Sequence, residues 1–362
     1  MNNTIQKVLS YPVSLIYQIA TQLRNKLYDL NIIKNSYADI PTISVGNITV
    51  GGTGKTPHAE YIISLLKDKY KLAYLSRGYK RKSMGYQESG KQCSAMTIGD
   101  EAFQVHKKFP DITVAVDTDR FRAISHLSAK DPKPDIIVLD DCYQYRKLHP
   151  DINILLIDYN RLTYLDNYLP YGELRESKHN TDRANIVIIT KCPKSINPAD
   201  KLSIRTQLGL LAYQSLYFTC INYRKPKGVF TGQTLDITPD MELIVVSGIS
   251  QPQHLHNYLR EQCHTINTIT YEDHHTYTQQ DIKKINSIFE KMEDGKRAII
   301  ITEKDLSKIE QLNMPENIKN NIYSIGIEVD FMFNDKDNFD KKIDFLSGII
   351  TSSKRFNTIN IM

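Results

Sequence analysis

Thr49-Val-Gly-Gly-Thr-Gly-Lys-Thr-Pro57 separates two runs of different periodicity. Before it, Ile40-Pro-Thr-Ile-Ser-Val45 is apolar and strand-like. After it, Lys55–Lys67 carries apolar residues at helical spacing, with Pro57 in the first turn, where a missing N–H costs little. Strand, glycine-rich turn and helix, in that order, build an anion cradle. Glycines let backbone N–H groups approach phosphate oxygens, and the helix N-terminus adds partial positive charge. Thr49, Val50, Gly51, Gly52, Thr53, Gly54, Lys55 and Thr56 are therefore the expected nucleotide-binding residues. Lys55 reaches the β- and γ-phosphates of ATP, and the Thr56 hydroxyl a Mg2+ ion. The pattern departs from its commonest form at Thr49, where a glycine is usual; Gly51, Gly52 and Gly54 supply the flexibility instead.

A phosphate cradle needs an acidic partner for the metal. Ile136-Ile-Val-Leu-Asp140-Asp141 is an apolar run ending in acid, so Asp140 and Asp141 join Thr56 as the expected Mg2+ site at the C-terminal end of a buried strand. Further strand-like runs at 72–75, 113–116, 152–157 and 185–189 alternate with helical patterns near 100–109, 119–129 and 198–209, which predicts a mostly parallel sheet covered on both faces. Near 215–240 the pattern changes. Leu216–Tyr223 and Gly228–Thr231 read as a strand pair, and a second, shorter alternation of strands and helices follows, with a last helix near 337–350. The expected architecture is α/β. An N-terminal helix (1–30) precedes a P-loop nucleotide-binding domain (31–222), and a smaller α/β domain (223–362) follows.

Composition excludes more than it assigns. The chain has 362 residues, 41% hydrophobic and 24% charged, with a net charge of +5, values of an ordinary globular protein that give no reason to expect nucleic-acid binding. Five scattered cysteines have neither metal-ligand spacing nor the even count of a disulfide framework, which fits a reducing compartment. No apolar run is long enough to span a bilayer. Ile5, Val8, Leu9, Val13, Leu15, Ile16, Ile19, Leu23 and Leu27 recur at helical spacing, with Lys7, Arg24 and Lys26 adding positive charge. That stripe reads equally as a helix lying on a membrane surface and as one packed on the protein's own core.

Outside the cradle, Asp100, in Gly99-Asp-Glu101, and Asp273-His274-His275 bring acids and imidazoles suited to proton transfer. Arginines in Ser76-Arg-Gly-Tyr-Lys-Arg81 and Asp119-Arg-Phe-Arg122 could grip a phosphate. Taken one at a time, these read as easily as a helix cap, a polar loop and solvated surface charge.

Together they resemble a known family. Gly46-Asn47 with Gly51–Pro57, Ser76-Arg-Gly-Tyr79, Gly99-Asp-Glu101, Asp140-Asp141 with Gln144, Leu169-Pro-Tyr-Gly172 with Leu174-Arg-Glu176, Asp273-His-His with Tyr277, and Thr302-Glu-Lys-Asp305 occur in the order found in the tetraacyldisaccharide 4′-kinases of lipid A biosynthesis. The resemblance implies phosphorylation of the 4′-hydroxyl of an acylated glucosamine disaccharide 1-phosphate by ATP and Mg2+. It implies that 31–222 is a P-loop ATP-binding kinase domain and that 223–362, joined by a two-stranded linker, closes the active-site cleft. It implies a monomer at the cytoplasmic face of the inner membrane, touching the membrane surface through its N-terminal helix. It also implies Asp100 as the base supported by His274, catalysis by these two with Lys55, and acceptor binding by Arg77, Arg120, Gln144, Arg175 and Glu176. Two departures stand out: Cys142 and Tyr145 replace a common Gly and His, and Tyr171 and Glu173 alter the segment before Arg175. Two rivals share the loop. One is a partner-regulated ATPase, which would carry a lysine at Val50; the other is a nucleotide-regulated membrane-binding module.

Overall fold

The structure, a computed structural model, describes residues 3–273 and 275–359; the predicted His274 lies outside the described residues. Two sheets dominate. The larger has nine strands in the order Ile327–Phe331, Ser215–Tyr223, Ile186–Thr190, Ile152–Asp158, Thr42–Gly46, Ile136–Asp140, Leu72–Ser76, Thr113–Val116 and Gln87–Glu88. The seven inner strands run parallel and only the two edge strands are antiparallel.

The runs that read as continuously apolar are buried at every residue in Thr42–Gly46, Leu72–Ser76, Ile136–Asp140, Ile152–Asp158 and Ile186–Thr190. The pleat explains why both faces need apolar residues. Val138 packs under the glycine-loop helix with Ile62 and Ile63, while Ile137 and Leu139 face the opposite layer with Ile124 and Leu127. Each such side chain stabilises the fold by roughly 1.5–3 kcal/mol on burial.

The smaller sheet has the order Lys227–Gly228, Ile322–Ile325, Arg297–Thr302, Glu242–Ser247 and Thr265–Thr270, the last four parallel. Its helices Gln253–Arg260 and Gln279–Phe289 lie within the helical patterns at 253–263 and 279–292.

Two expectations need correcting. The strand around Leu216–Tyr223 does not pair with 228–231; Ser215–Tyr223 pairs antiparallel with Ile327–Phe331, from Thr219 opposite Phe331 to Tyr223 opposite Ile327. The chain therefore leaves the larger sheet at Tyr223, builds the smaller sheet, and returns. Residues 327–359, assigned from sequence to the smaller domain, pack on the larger one. Phe339 and Ile343 of the helix Lys336–Ile359 enter its core, and Phe331 lies 4.5 Å from Phe339 between ring centroids. The two-stranded linker exists, but its second strand comes from a hundred residues downstream.

The N-terminal helix Asn3–Asp29 is turned with its polar side inward. Ser14 Oγ donates to the Tyr168 carbonyl at 2.7 Å and Tyr17 Oη to the Arg175 carbonyl at 3.2 Å. Gln22 Nε2 donates to Tyr168 Oη at 3.2 Å, and Arg146 pairs with Asp29 at 2.6 Å. The apolar residues from Val13 to Leu23 point out: Ile16 is 68% exposed, and Val13, Leu15, Ile19 and Leu23 about half; the side chains of Ile5, Val8 and Leu9 lie outside those described. Among the described residues, no helix is long and apolar enough to cross a membrane.

Candidate active site

The glycine loop emerges at the C-terminal edge of the central strand Thr42–Gly46. Gly51 (φ 92°) and Gly54 (φ 86°) hold left-handed conformations that a Cβ would strain, and Gly54 caps the helix Lys55–Leu66. The loop is fastened from three sides. Asn47 Nδ2 donates to Thr53 Oγ1 and Thr190 Oγ1 to the Thr53 carbonyl, both at 2.9 Å. Val50 N donates to the Glu173 carbonyl, and Arg175 N to the Ile48 carbonyl, both at 2.8 Å. Residues 173–175 thus run as a strap along the loop, bringing Arg175 beside it.

His58, one turn into the helix, was not singled out in the sequence. It is buried, with Nδ1 2.8 Å from the Gly54 carbonyl and Nε2 3.1 Å from Thr219 Oγ1. Burial pushes its pKa down to about 4, so it bridges loop and sheet as a neutral ring. A folded-state pKa below the unfolded value means protons favour the unfolded chain. Stability should therefore hold above pH 6.5 and fall by up to about 3 kcal/mol as pH drops towards 4. Denaturant titrations of wild type and His58→Gln across that range check it; the variant should lose less.

Two of the four predicted metal and phosphate groups, Thr56 and Asp140, meet directly. Thr56 Oγ1 donates to Asp140 Oδ2 at 3.0 Å, and Tyr74 Oη donates to the same oxygen at 2.7 Å. Asp140 is buried; desolvation first, and then the neighbouring Glu101, push its carboxyl up to about 7. Its Oδ1 is buried with no hydrogen-bond partner among the described residues. A buried carboxylate with an orphaned oxygen beside a threonine hydroxyl is a pair of hard donors that fits Mg2+, which takes one or two protein oxygens and completes its octahedron with phosphates and water. Asp141 sits differently. Its Oδ1 lies 3.5 Å from Lys55 Nζ and its Oδ2 3.8 Å from Arg175 Nη1, so it is held between two cations.

The smaller domain closes over this edge. A Cβ on Gly52 would lie 3.6 Å from Ser250 Oγ, and Lys191 Nζ donates to Gln251 Oε1 at 2.8 Å. Asp100, first residue of the helix Asp100–Lys108, pairs with Lys308 of the smaller domain at 2.9 Å. Lys304, one turn before Lys308 on the same helix, holds Asp273 at 2.7 Å. Asp100 and Asp273 are thereby gathered to neighbouring turns of one helix.

The residues implied for the acceptor are placed unequally. Arg77 is exposed and Arg175 partly so. Gln144 donates to the Asn47 carbonyl, and Arg24 of the N-terminal helix reaches the Gln144 carbonyl at 3.4 Å. Arg120 is buried; its Nη1 donates to the Asp117 carbonyl at 2.6 Å and its Nε has no partner among the described residues. Glu176 points inward, 2% exposed, against Arg183 and Asn180. Sequence reasoning missed Tyr74, the bonding of 173–175 to the glycine loop, and Lys308; each acts through a neighbour distant in the chain.

A glycine loop ending in Lys-Thr, an acid at the next strand end and a second domain folded over both define a P-loop kinase. Residues 6–346 match the model of the tetraacyldisaccharide-1-P 4′-kinase family. The chain belongs to that family. It is 46% identical to the tetraacyldisaccharide 4′-kinase of Phocaeicola vulgatus over 92% of this chain and 93% of that protein, and 40% identical to that of Bacteroides thetaiotaomicron over 92% and 91%. The crystal structure of LpxK from Aquifex aeolicus in complex with ATP superimposes with a TM-score of 0.73 at 26% identity, covering 93% of this chain and 98% of that one.

Proposed function

We propose that this chain transfers the γ-phosphoryl group of ATP to the 4′-hydroxyl of a tetraacylated glucosamine disaccharide 1-phosphate, the reaction of its family. The acceptor oxygen forms a bond to the γ-phosphorus, the bond to the β,γ-bridging oxygen breaks, and ADP leaves. The acceptor proton passes to Asp100, the base, with His274 in support. Lys55 and the loop N–H groups hold the phosphates in line, and Arg77, Arg120, Gln144 and Arg175 orient the acceptor. Thr56 and the orphaned oxygen of Asp140 would hold Mg2+, with Asp141 steering Lys55; when bound, the metal neutralises charge developing on the β- and γ-phosphates. Glu176 supports the strap from below.

The observation that carries this reading is the placement of the N-terminal helix. Its apolar face is exposed, and its polar face hydrogen-bonds the strap that carries Arg175 to the glycine loop. A lipid acceptor can keep its acyl chains in a membrane against this helix while its sugar reaches the loop. The chain then works as a monomer on the cytoplasmic face of the inner membrane, where ATP is supplied. Incubation with γ-32P-ATP and the acylated disaccharide 1-phosphate tests this directly: label must enter the lipid. Hydrolysis without lipid labelling, stimulated by a protein partner, would instead fit a regulatory ATPase.

Replacing Ile16, Ile19 and Leu23 together by serine should weaken binding to anionic phospholipid vesicles at least tenfold, since each exposed side chain contributes about 1.5–3 kcal/mol when buried in lipid. Co-sedimentation measures this, and because the three residues face away from the fold, thermal stability should change little.

A further inference from the structure

Asp100 and Lys308 lie on helices of different domains and meet at 2.9 Å, with side chains 16% and 11% exposed. The Lys308 ammonium is buried, and Asp100 is the carboxylate it pairs with among the described residues. The helices that carry them, Asp100–Lys108 and Glu303–Ile309, lie side by side with their charges exchanged. Lys108, at the far end of the first helix, lies 3.6 Å from Glu303, at the start of the second, and also pairs with Glu60 on the glycine-loop helix at 2.5 Å. Lys107 pairs with Glu310 just beyond. In the Asp100–Lys308 and Glu303–Lys108 pairs, each helix brings acid at its N-terminus to base near the other's C-terminus, the arrangement that both helix dipoles favour.

The outer pairs frame the contact and are more exposed. The Asp100–Lys308 pair is shielded from water, where a fixed charge acts over a short distance with little screening. We propose that Lys308 is a positioning residue for the phosphoryl transfer: delivered by the smaller domain, it keeps the Asp100 carboxylate ionised and aimed, so that proton removal from the acceptor becomes competent only when the two domains are packed together.

This inference rests on the proposed role of Asp100, and the test separates the two. Initial rates are measured for wild type, Lys308→Met, Lys308→Arg, Asp100→Asn and the Asp100→Asn/Lys308→Met double variant, with thermal melting of each. Lys308→Met should lower kcat at least about tenfold while KM for ATP stays within about twofold, because the lost group acts on the proton acceptor and not on the nucleotide. Lys308→Arg, which keeps the charge, should restore most of kcat. The double variant should be no slower than Asp100→Asn alone. Wild-type kcat in Lys308→Met, beside an inactive Asp100→Asn, overturns the positioning role only. So does a loss in Lys308→Met that arginine fails to rescue and that tracks a lowered melting temperature. Near-normal kcat in Asp100→Asn overturns the reading beneath it.

Discussion

Lys55→Ala is expected to lower kcat for lipid phosphorylation by about 10³-fold. Lys55 is the first residue of the glycine-loop helix, its ammonium is 3.5 Å from Asp141, and its side chain is only 16% exposed. It is thus held at the mouth of the cradle before any nucleotide arrives. A fixed charge of this kind needs no reorganisation as negative charge shifts towards the β,γ-bridging oxygen, so its loss should fall on kcat more than on ATP affinity. Rapid-quench measurement at saturating ATP checks this. The fold should survive, because the residue packs on no core cluster; melting temperature is the control. A variant retaining more than a tenth of wild-type kcat would remove Lys55 from the mechanism.

Asp100→Asn carries the second large effect, a loss of about 10²–10⁴ in kcat, the range of a positioned general base or of the acid that orients one. Asparagine preserves size and helix-starting geometry but cannot take up a proton or answer the charge of Lys308. ATP binding, measured by calorimetry, should be unchanged, since the phosphate loop and Asp140 are untouched. Loss of ATP binding in parallel with kcat would mean that Asp100 supports the nucleotide and not the acceptor.

Much of the larger domain was legible because its information is local. The glycine loop, the apolar run into Asp140 and the alternation of strands with helices each lie within about fifteen residues, and the strands Thr42–Gly46 and Ile136–Asp140 fall within two residues of their expected ends. What was not legible depends on partners far apart. Nothing in Ser215–Tyr223 announces that its neighbour is Ile327–Phe331, because antiparallel pairing fixes register between strands without marking the distance along the chain. The same holds for Lys308: a lysine on a short helix is ordinarily solvated, and only packing of the two helices buries it against Asp100. The N-terminal helix was ambiguous in principle, since an apolar stripe does not say whether it faces protein or lipid. The hydrogen bonds of Ser14, Tyr17 and Gln22 to 168–175 turn its polar side inward.

Glu176 teaches the opposite lesson. Arg175 and Glu176 are adjacent and were both expected to touch the acceptor, yet the bends of the chain there give them different surroundings. Arg175 faces Asp141 and the cleft, while Glu176 is buried against Arg183. Motif order locates the segment; the local backbone decides which side chain faces the cleft.

The central claim is that the cradle, the base and the outward-facing helix act together on one hydroxyl of a membrane-borne sugar. Its most direct test is the position of the new phosphate in the purified product, read by 1H–31P correlation NMR after reaction of the tetraacylated disaccharide 1-phosphate with ATP and Mg2+. The account predicts a phosphate coupled to the proton on the 4′ carbon of the distal glucosamine, with one equivalent of ADP released per lipid. A phosphate coupled elsewhere on the sugar, or ADP and inorganic phosphate released with the lipid unmodified, would contradict it.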